Sequence, residues 1–403
     1  MIGKVSLSVA VMTHPRRLVH AQTLAAALHP HPVDIVLDPV PDGPPESLRT
    51  AVRAWSAAAD ATHHLVLQDD IVAAEGLVEQ VMHDVVEFPE AALAYFAHWS
   101  SLNGMAVRLG ALLDVRWVEA IPEWTPCLAL VLPRRVALGF AEFGLSHHQE
   151  PRGDDQLMLL FLTDKGVPTY LSVPSLVDHA PLPSMLGHDP KGARKAACFP
   201  AGPLPRPHNG ADTPLTLSAI PYFFDGRALC SLPDPSSNNR LQRTRMEGMS
   251  YLTSLGVSMH RVRAELHSAL SSLDHETRWA ATRLGEQTLW QLWVTTYAMG
   301  CVARPPHGPV AGQRDSTKAS QRHLSENAMA TVAVGGLTHT PDQTNAEKLS
   351  WQLRHLCHAG FTAGTTDPAI ATSLLPSAPT VADRAATTWV TGPVSDIQRL
   401  PLG

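Results

Sequence analysis

Leu65-Val66-Leu67-Gln68-Asp69-Asp70 joins a short apolar run to two adjacent carboxylates, with Ile71 and a helix-like stretch behind them. A buried strand that ends this way delivers two oxygen ligands at a sheet edge, where open α/β folds place their ligand sites. Carboxylate oxygens suit a hard divalent cation, and a phosphate-bearing substrate calls for one. A strand followed by a solvated Asp-Asp turn accounts for the same residues equally well. Thr13-His14-Pro15-Arg16-Arg17 closes an earlier strand, Asp38 closes a second, and Asp178-His179 closes a later one. Each is weak alone; their common position at strand carboxyl ends joins them.

The elements that must carry these residues are legible in the first part of the chain. Val5 to Met12 reads as a strand, Arg16 to Leu28 as a helix, Val33 to Leu37 as a strand, and Glu46 to Ala59 as a helix. The second helix carries Leu48, Val52 and Trp55 at i, i+4 and i+7. His64 to Leu67 is a third strand, Ala73 to Val86 a helix and Ala91 to Ala97 a fourth strand. This order predicts an α/β fold with a doubly wound, mostly parallel sheet. Short strands at Trp117 to Ala120 and Cys127 to Leu132 follow, then a short helix from Pro133 to Phe140. A helix over Gly153 to Lys165 and a strand over Val167 to Val173 complete this part, which Pro174 to His179 leaves.

Prolines and glycines dominate from Pro181 to Pro214, which predicts a wrapping loop or linker, the linker proper being residues 201–214. Asn239 to Leu255, Val257 to Leu273 and Glu276 to Met299 read as helices, with a further one over Ala346 to Ala359 capped by Asn345. The expected organisation is a first domain over 1–200, a smaller helical accessory domain over 215–360, and a loosely ordered tail rich in Ala, Thr and Pro over 361–403.

Composition narrows the function classes. The 403 residues carry a formal charge of -6, which gives no support to nucleic-acid binding through a basic face. No apolar run approaches the ~18 residues of a membrane-spanning helix, so only peripheral membrane contact stays open. The start of the chain does not read as a signal peptide. The five cysteines are scattered with no CxxC pair, which speaks against a zinc knuckle or disulfide framework and fits a cytoplasmic protein.

Four segments together resemble the nucleotide-sugar glycosyltransferases of the GT-A fold, in the flavour of bacterial family 25 enzymes. They are Ser6 to Thr13, Leu65 to Ile71, Gly153-Asp154-Asp155-Gln156-Leu157-Met158 and Val173 to His179. The resemblance covers the first ~190 residues, under half of the chain. It implies metal-dependent transfer of a sugar from a nucleotide-sugar donor to an acceptor hydroxyl, with Mn or Mg held on the donor diphosphate. The acceptor would be a glycan, a lipid-linked sugar or a small molecule. By resemblance Asp70 and His179 hold the metal. Asp69, Thr13, Arg17 and Asp38 face the donor, and Asp155 is the base, with Asp154 as cap or acceptor contact. Gln68 stands where the family often has an acid; its amide accepts a ribose hydroxyl but adds no charge. Trp124, between Pro122 and Pro126, is the aromatic residue expected against an acceptor sugar.

Ordinary readings stand beside these. Asp154 and Asp155 make good helix caps, Asp38 precedes Pro39 as a common turn pair, and Arg17 suits a solvated first turn. Two other functions remain open. A nucleotidyltransferase also uses strand-end acids, but Met12 to Leu18 lacks the glycines of its phosphate loop. A degenerate GT-A domain acting as a scaffold is the other, kept open by Gln68.

Overall fold

The structure is a computed structural model that describes residues 5–149, 152–187, 189, 192–200, 213–237, 242–303, 317–337 and 343–372. Apolar residues on both sides of short strands determine its centre. In strands β1 (Leu7–Thr13), β2 (Val33–Leu37) and β3 (His63–Gln68), neighbouring residues enter opposite cores: Leu65 and Leu67 pack on one face and Val66 on the other. A sheet buried on both faces demands helices on both. Helices α1 (Leu18–Ala27), entered through a single 3₁₀ turn at Pro15–Arg17, and α3 (Leu77–Glu87) cover one face. Helices α2 (Ser47–Ser56), α4 (Leu102–Leu112), α5 (Arg134–Ser146) and α6 (Asp154–Asp164) cover the other.

The central sheet has seven strands. Beyond the first three it contains β5 (Ala92–Ala94), β6 (Trp117–Glu119), β7 (Ala129–Pro133) and β8 (Thr169–Ser172), in the order β2-β1-β3-β7-β5-β8-β6. Strands β1, β2, β3, β5 and β8 run one way; β7 runs antiparallel between β3 and β5, and β6 antiparallel on β8. The fold is therefore α/β with a mostly parallel central sheet. Two three-residue strands outside it, β4 (Ile71–Ala73) and β9 (Val177–His179), pair antiparallel with each other.

The later part departs from the expected bundle of helices. It opens with a three-stranded antiparallel sheet, β10 (Ile220–Phe224), β11 (Arg227–Pro233) and β12 (Arg243–Glu247). Of the stretch read as one helix from Asn239 to Leu255, Arg243–Glu247 is strand β12, paired with β11, and α7 (Gly248–Ser254) follows. Helix α8 (Met259–Ser272) follows. The helix read over Glu276 to Met299 is broken at Gly285, whose positive φ of 78° suits glycine, into α9 (His275–Arg283) and α10 (Glu286–Val302).

Helices α11 (Thr317–Gly335), α12 (Gln343–Thr365) and α13 (Pro368–Thr372) complete the described chain. Residues 361–372, read as the start of a loose tail, are mostly helical, while 373–403 and most of the 201–214 linker lie outside the described residues. The apolar core does not stop at residue 200: one continuous cluster runs from Val66 and Leu130 in the sheet through Ile220 and Leu252 to Trp293 and Leu353. The described residues, all between 5 and 372, form one compact unit. All five cysteines are buried, unpaired thiols. No described helix is long and apolar enough to cross a membrane.

Candidate active site

Parallel pairing sets the site at the carboxyl ends of the first three strands. The register Met12 to Gln68 brings the next residues, Thr13 and Asp69, side by side, and the Thr13 hydroxyl donates to Asp69 Oδ2 at 2.5 Å. Arg17, at the end of the 3₁₀ turn behind β1, donates from Nη1 to Asp69 Oδ1 at 3.0 Å and lies 3.1 Å from Asp70 Oδ2. Burial raises the Asp69 carboxyl above its ordinary value, and the charge of Asp70 adds to this, against hydrogen bonds from Thr13 and Arg17. Burial opposes the charge on Arg17, but the two carboxylates outweigh it and hold the guanidinium above its ordinary value.

The short β4–β9 ribbon supplies the histidine. Ile71 pairs with His179, and the Ala180 amide donates to the Asp70 carbonyl at 2.8 Å. This pairing sets His179 Nδ1 3.7 Å from Asp70 Oδ1, while the edge of the Phe96 ring packs against the imidazole. Nδ1 is buried and has no hydrogen-bond partner among the described residues. Burial brings the His179 ring down to about 4, with Arg194 and Arg17 acting in the same direction and Asp70 against it. The ring is therefore neutral at pH 7. A neutral imidazole whose Nδ1 faces a carboxylate fits two ligands of a divalent cation, with water or phosphate left to supply the rest. Asp178 holds the ribbon itself: its Oδ1 accepts from the amides of His179 (2.9 Å) and Ala196 (2.7 Å), and Lys195 lies 3.3 Å from Oδ2.

Beside this pair lies an open cavity of about 280 Å³ lined by His179, Leu182, Pro183, Arg194 and Lys195, among others. Arg194 Nη1 is 3.5 Å from Asp70 Oδ2, and its Nη2 donates to the Leu182 carbonyl at 3.1 Å. Arg17 donates from Nη2 to the Pro183 carbonyl. Arg194 had no sequence signal: it lies in the Pro- and Gly-rich stretch whose composition announces only irregular backbone.

Asp38 is differently employed from the donor contact expected of it. Its amide donates to the Thr13 carbonyl at 2.8 Å, so it sits at the same sheet edge. Its carboxylate, however, takes a two-pronged contact from Arg49 at 2.6 and 2.8 Å and accepts the Val40 amide at 3.0 Å. Burial works against that charge, yet the Arg49 hydrogen bonds prevail and hold Asp38 below the usual carboxylate range. The residue pins the loop between β2 and α2. Gln68 is half-buried, and its amide nitrogen in the backbone donates to the Leu128 carbonyl at 3.0 Å.

The N-terminus of α6 reaches the same edge through residues 125–128. The Thr125 amide donates to the Asp155 carbonyl at 3.2 Å, and the Cys127 thiol, pushed up by burial, feels both Asp154 and Asp155. The two aspartates diverge. Asp154 is buried; desolvation raises its carboxyl and a hydrogen bond with Ser47 opposes this. Asp155 is half-buried, and its Oδ1 accepts the Gln156 amide at 2.8 Å. Trp124 is half-buried beside Thr125, whereas Trp99 and Trp117 are core residues.

A second grouping, His83, Asp84 and Glu87 on α3, has carboxylate and imidazole atoms within 4.8 Å of one another. Arg116 already lies 3.0 Å from Asp84 there, with Gln80 and Tyr95 donating to the same carboxylate at 2.8 and 3.2 Å. In comparison with known proteins, no family model matches the chain and no curated protein matches its sequence.

Proposed function

We propose that the chain is a metal-dependent glycosyltransferase that moves a sugar from a nucleotide-diphosphate sugar to an acceptor hydroxyl. The observation that carries this reading is the Nδ1 of His179, without a hydrogen-bond partner among the described residues, facing Asp70 Oδ1 at 3.7 Å, at the carboxyl edge of the sheet and against a cavity. Asp70 and His179 would hold a Mn or Mg ion. When bound, such an ion offsets the negative charge that a departing nucleoside diphosphate accumulates.

The residues around it have separable tasks in this reading. Arg17 and Arg194 supply fixed N–H donors for phosphate oxygens. Asp69, held in place by Thr13 and Arg17, lies towards the donor sugar. Gln68 offers its amide to a ribose hydroxyl. Asp155 accepts the proton of the attacking hydroxyl, for which a half-buried carboxylate is better suited than the enclosed Asp154. Trp124 gives the acceptor sugar an apolar ring face.

Calorimetric titration with UDP, GDP and related diphosphates, each with and without Mn, tests the proposal. Binding that needs both the metal and one particular base supports it and names the donor nucleotide. Absence of binding to any of them turns the choice to the scaffold reading.

A further inference from the structure

Asp70 presents its two oxygens to different partners. Oδ1 faces the imidazole of His179, whereas Oδ2 lies 3.1 Å from Arg17 and 3.5 Å from Arg194. Two carboxylates, Asp69 and Asp70, thus meet two guanidinium groups, and the cluster is close to neutral. A dication added to it alone stands beside two fixed positive charges. A diphosphate added alone meets donors whose charge the carboxylates already satisfy. Added together, the two ligands cancel one another's charge, and both penalties fall away.

The anchoring of the guanidinium groups makes an exchange of partners geometrically simple. Arg17 is tied to the Pro183 carbonyl and Arg194 to the Leu182 carbonyl, both in the wall of the cavity. Either group can leave Asp70 and still present N–H donors at that wall. We propose that Arg17 and Arg194 are exchangeable counter-ions: they neutralise Asp70 until a divalent cation takes it, and then turn to the oxygens of a diphosphate. Cation and diphosphate therefore bind with positive coupling, and by linkage each strengthens the other by the same factor. The inference rests on the metal-and-diphosphate reading of this site.

Titration calorimetry of the full chain tests it, with Mn alone, inorganic pyrophosphate alone, and pyrophosphate at saturating Mn, on wild type and Arg194→Gln. Wild type should bind pyrophosphate at least tenfold more tightly with Mn than without. Arg194→Gln should bind Mn alone severalfold more tightly than wild type, because a competing counter-ion is gone, and pyrophosphate with Mn at least tenfold more weakly. Arg194→Lys, which keeps the charge, should leave Mn affinity near wild type and guards against a folding defect in the glutamine variant. Unchanged or weaker Mn binding by a folded Arg194→Gln, with wild type still binding both ligands, overturns the exchange and leaves the proposed function standing. A wild type that takes up no Mn even with pyrophosphate removes both.

Discussion

His179 and Asp70, 109 positions apart in sequence, meet through a ribbon of two three-residue strands that places Nδ1 3.7 Å from Oδ1. The contact is too long for a hydrogen bond and the nitrogen has no other partner among the described residues. A buried polar atom left this way costs free energy unless something else meets it. Asp70→Asn removes the charge and keeps the shape. It should lower Mn-dependent nucleoside diphosphate binding by at least a hundredfold while the far-ultraviolet circular dichroism stays that of wild type. Calorimetry and the spectrum read the two parts separately, and undiminished binding rules out Asp70 as a metal ligand.

The two aspartates opening α6 should separate by experiment. Asp155→Asn is expected to slow sugar transfer by two orders of magnitude or more with donor affinity nearly unchanged. Asp154→Asn should act on stability instead, since its carboxyl is enclosed against Ser47. Transfer rates and denaturant midpoints measured on both variants check the division. A transfer rate near wild type in Asp155→Asn would leave that residue as a helix-capping group only.

His64 gives a pH dependence with a definite sign. It is fully buried, with Nε2 2.9 Å from the Ala54 carbonyl and Nδ1 2.7 Å from the Ser8 hydroxyl, and burial holds it below 6.5. The unfolded chain therefore takes up the proton more readily than the folded one. Stability should be full above about pH 6.5 and decline as the pH falls below it. Urea titrations should show lower stability at pH 5.5 than at pH 7.5, with the part attributable to this residue absent in His64→Gln.

Glu123 has the opposite sign. Its carboxylate accepts the amides of Leu102 (3.1 Å) and Asn103 (2.6 Å) at the N-terminus of α4, yet burial pushes it up to about 7. Raised in the folded state, it holds its proton more tightly than in the unfolded chain. Its contribution is thus present below about 4.5 and lost as pH rises through 7. Glu123→Gln should flatten that part of the pH–stability profile, and an unchanged slope between pH 5 and 8 would refute the assignment.

Helices α10 and α12 cross so closely that only glycine fits. A Cβ on Gly364 would stand 2.0 Å from the Tyr297 carbonyl oxygen, and one on Gly300 would stand 2.1 Å from that of Phe361. Gly364→Ala should therefore cost about 2–3 kcal/mol by forcing the helices apart. Thermal melting followed by circular dichroism measures the loss.

The strands at the site were legible because each is an apolar run ending in polar residues, and the Gln68-Asp69-Asp70 and Asp178-His179 ends do meet. Helix α4 was not legible: nine of its eleven residues are buried, so no polar face marks its period, and Gly104 and Gly110 read as breakers. Strand β7 looked like any other apolar run, and nothing local signals that it runs backwards between β3 and β5. Arg49, which decides what Asp38 can do, reaches it from the first turn of the next helix, and Arg194, which decides what Asp70 can do, reaches it from irregular backbone. Long-range charge pairing leaves no periodicity to read.

Because the apolar cluster beneath the sheet continues through α10 and α12, the two halves of the chain should share one melting transition. A protein ended at Pro214 would lay bare the face of α4 that α11 covers and the surroundings of Ile121 and Val173, and should be recovered in inclusion bodies. Grafting the first half onto another partner, as a modular catalytic cassette, would meet the same obstacle. The later helices serve as the floor on which the central sheet and its covering helices rest.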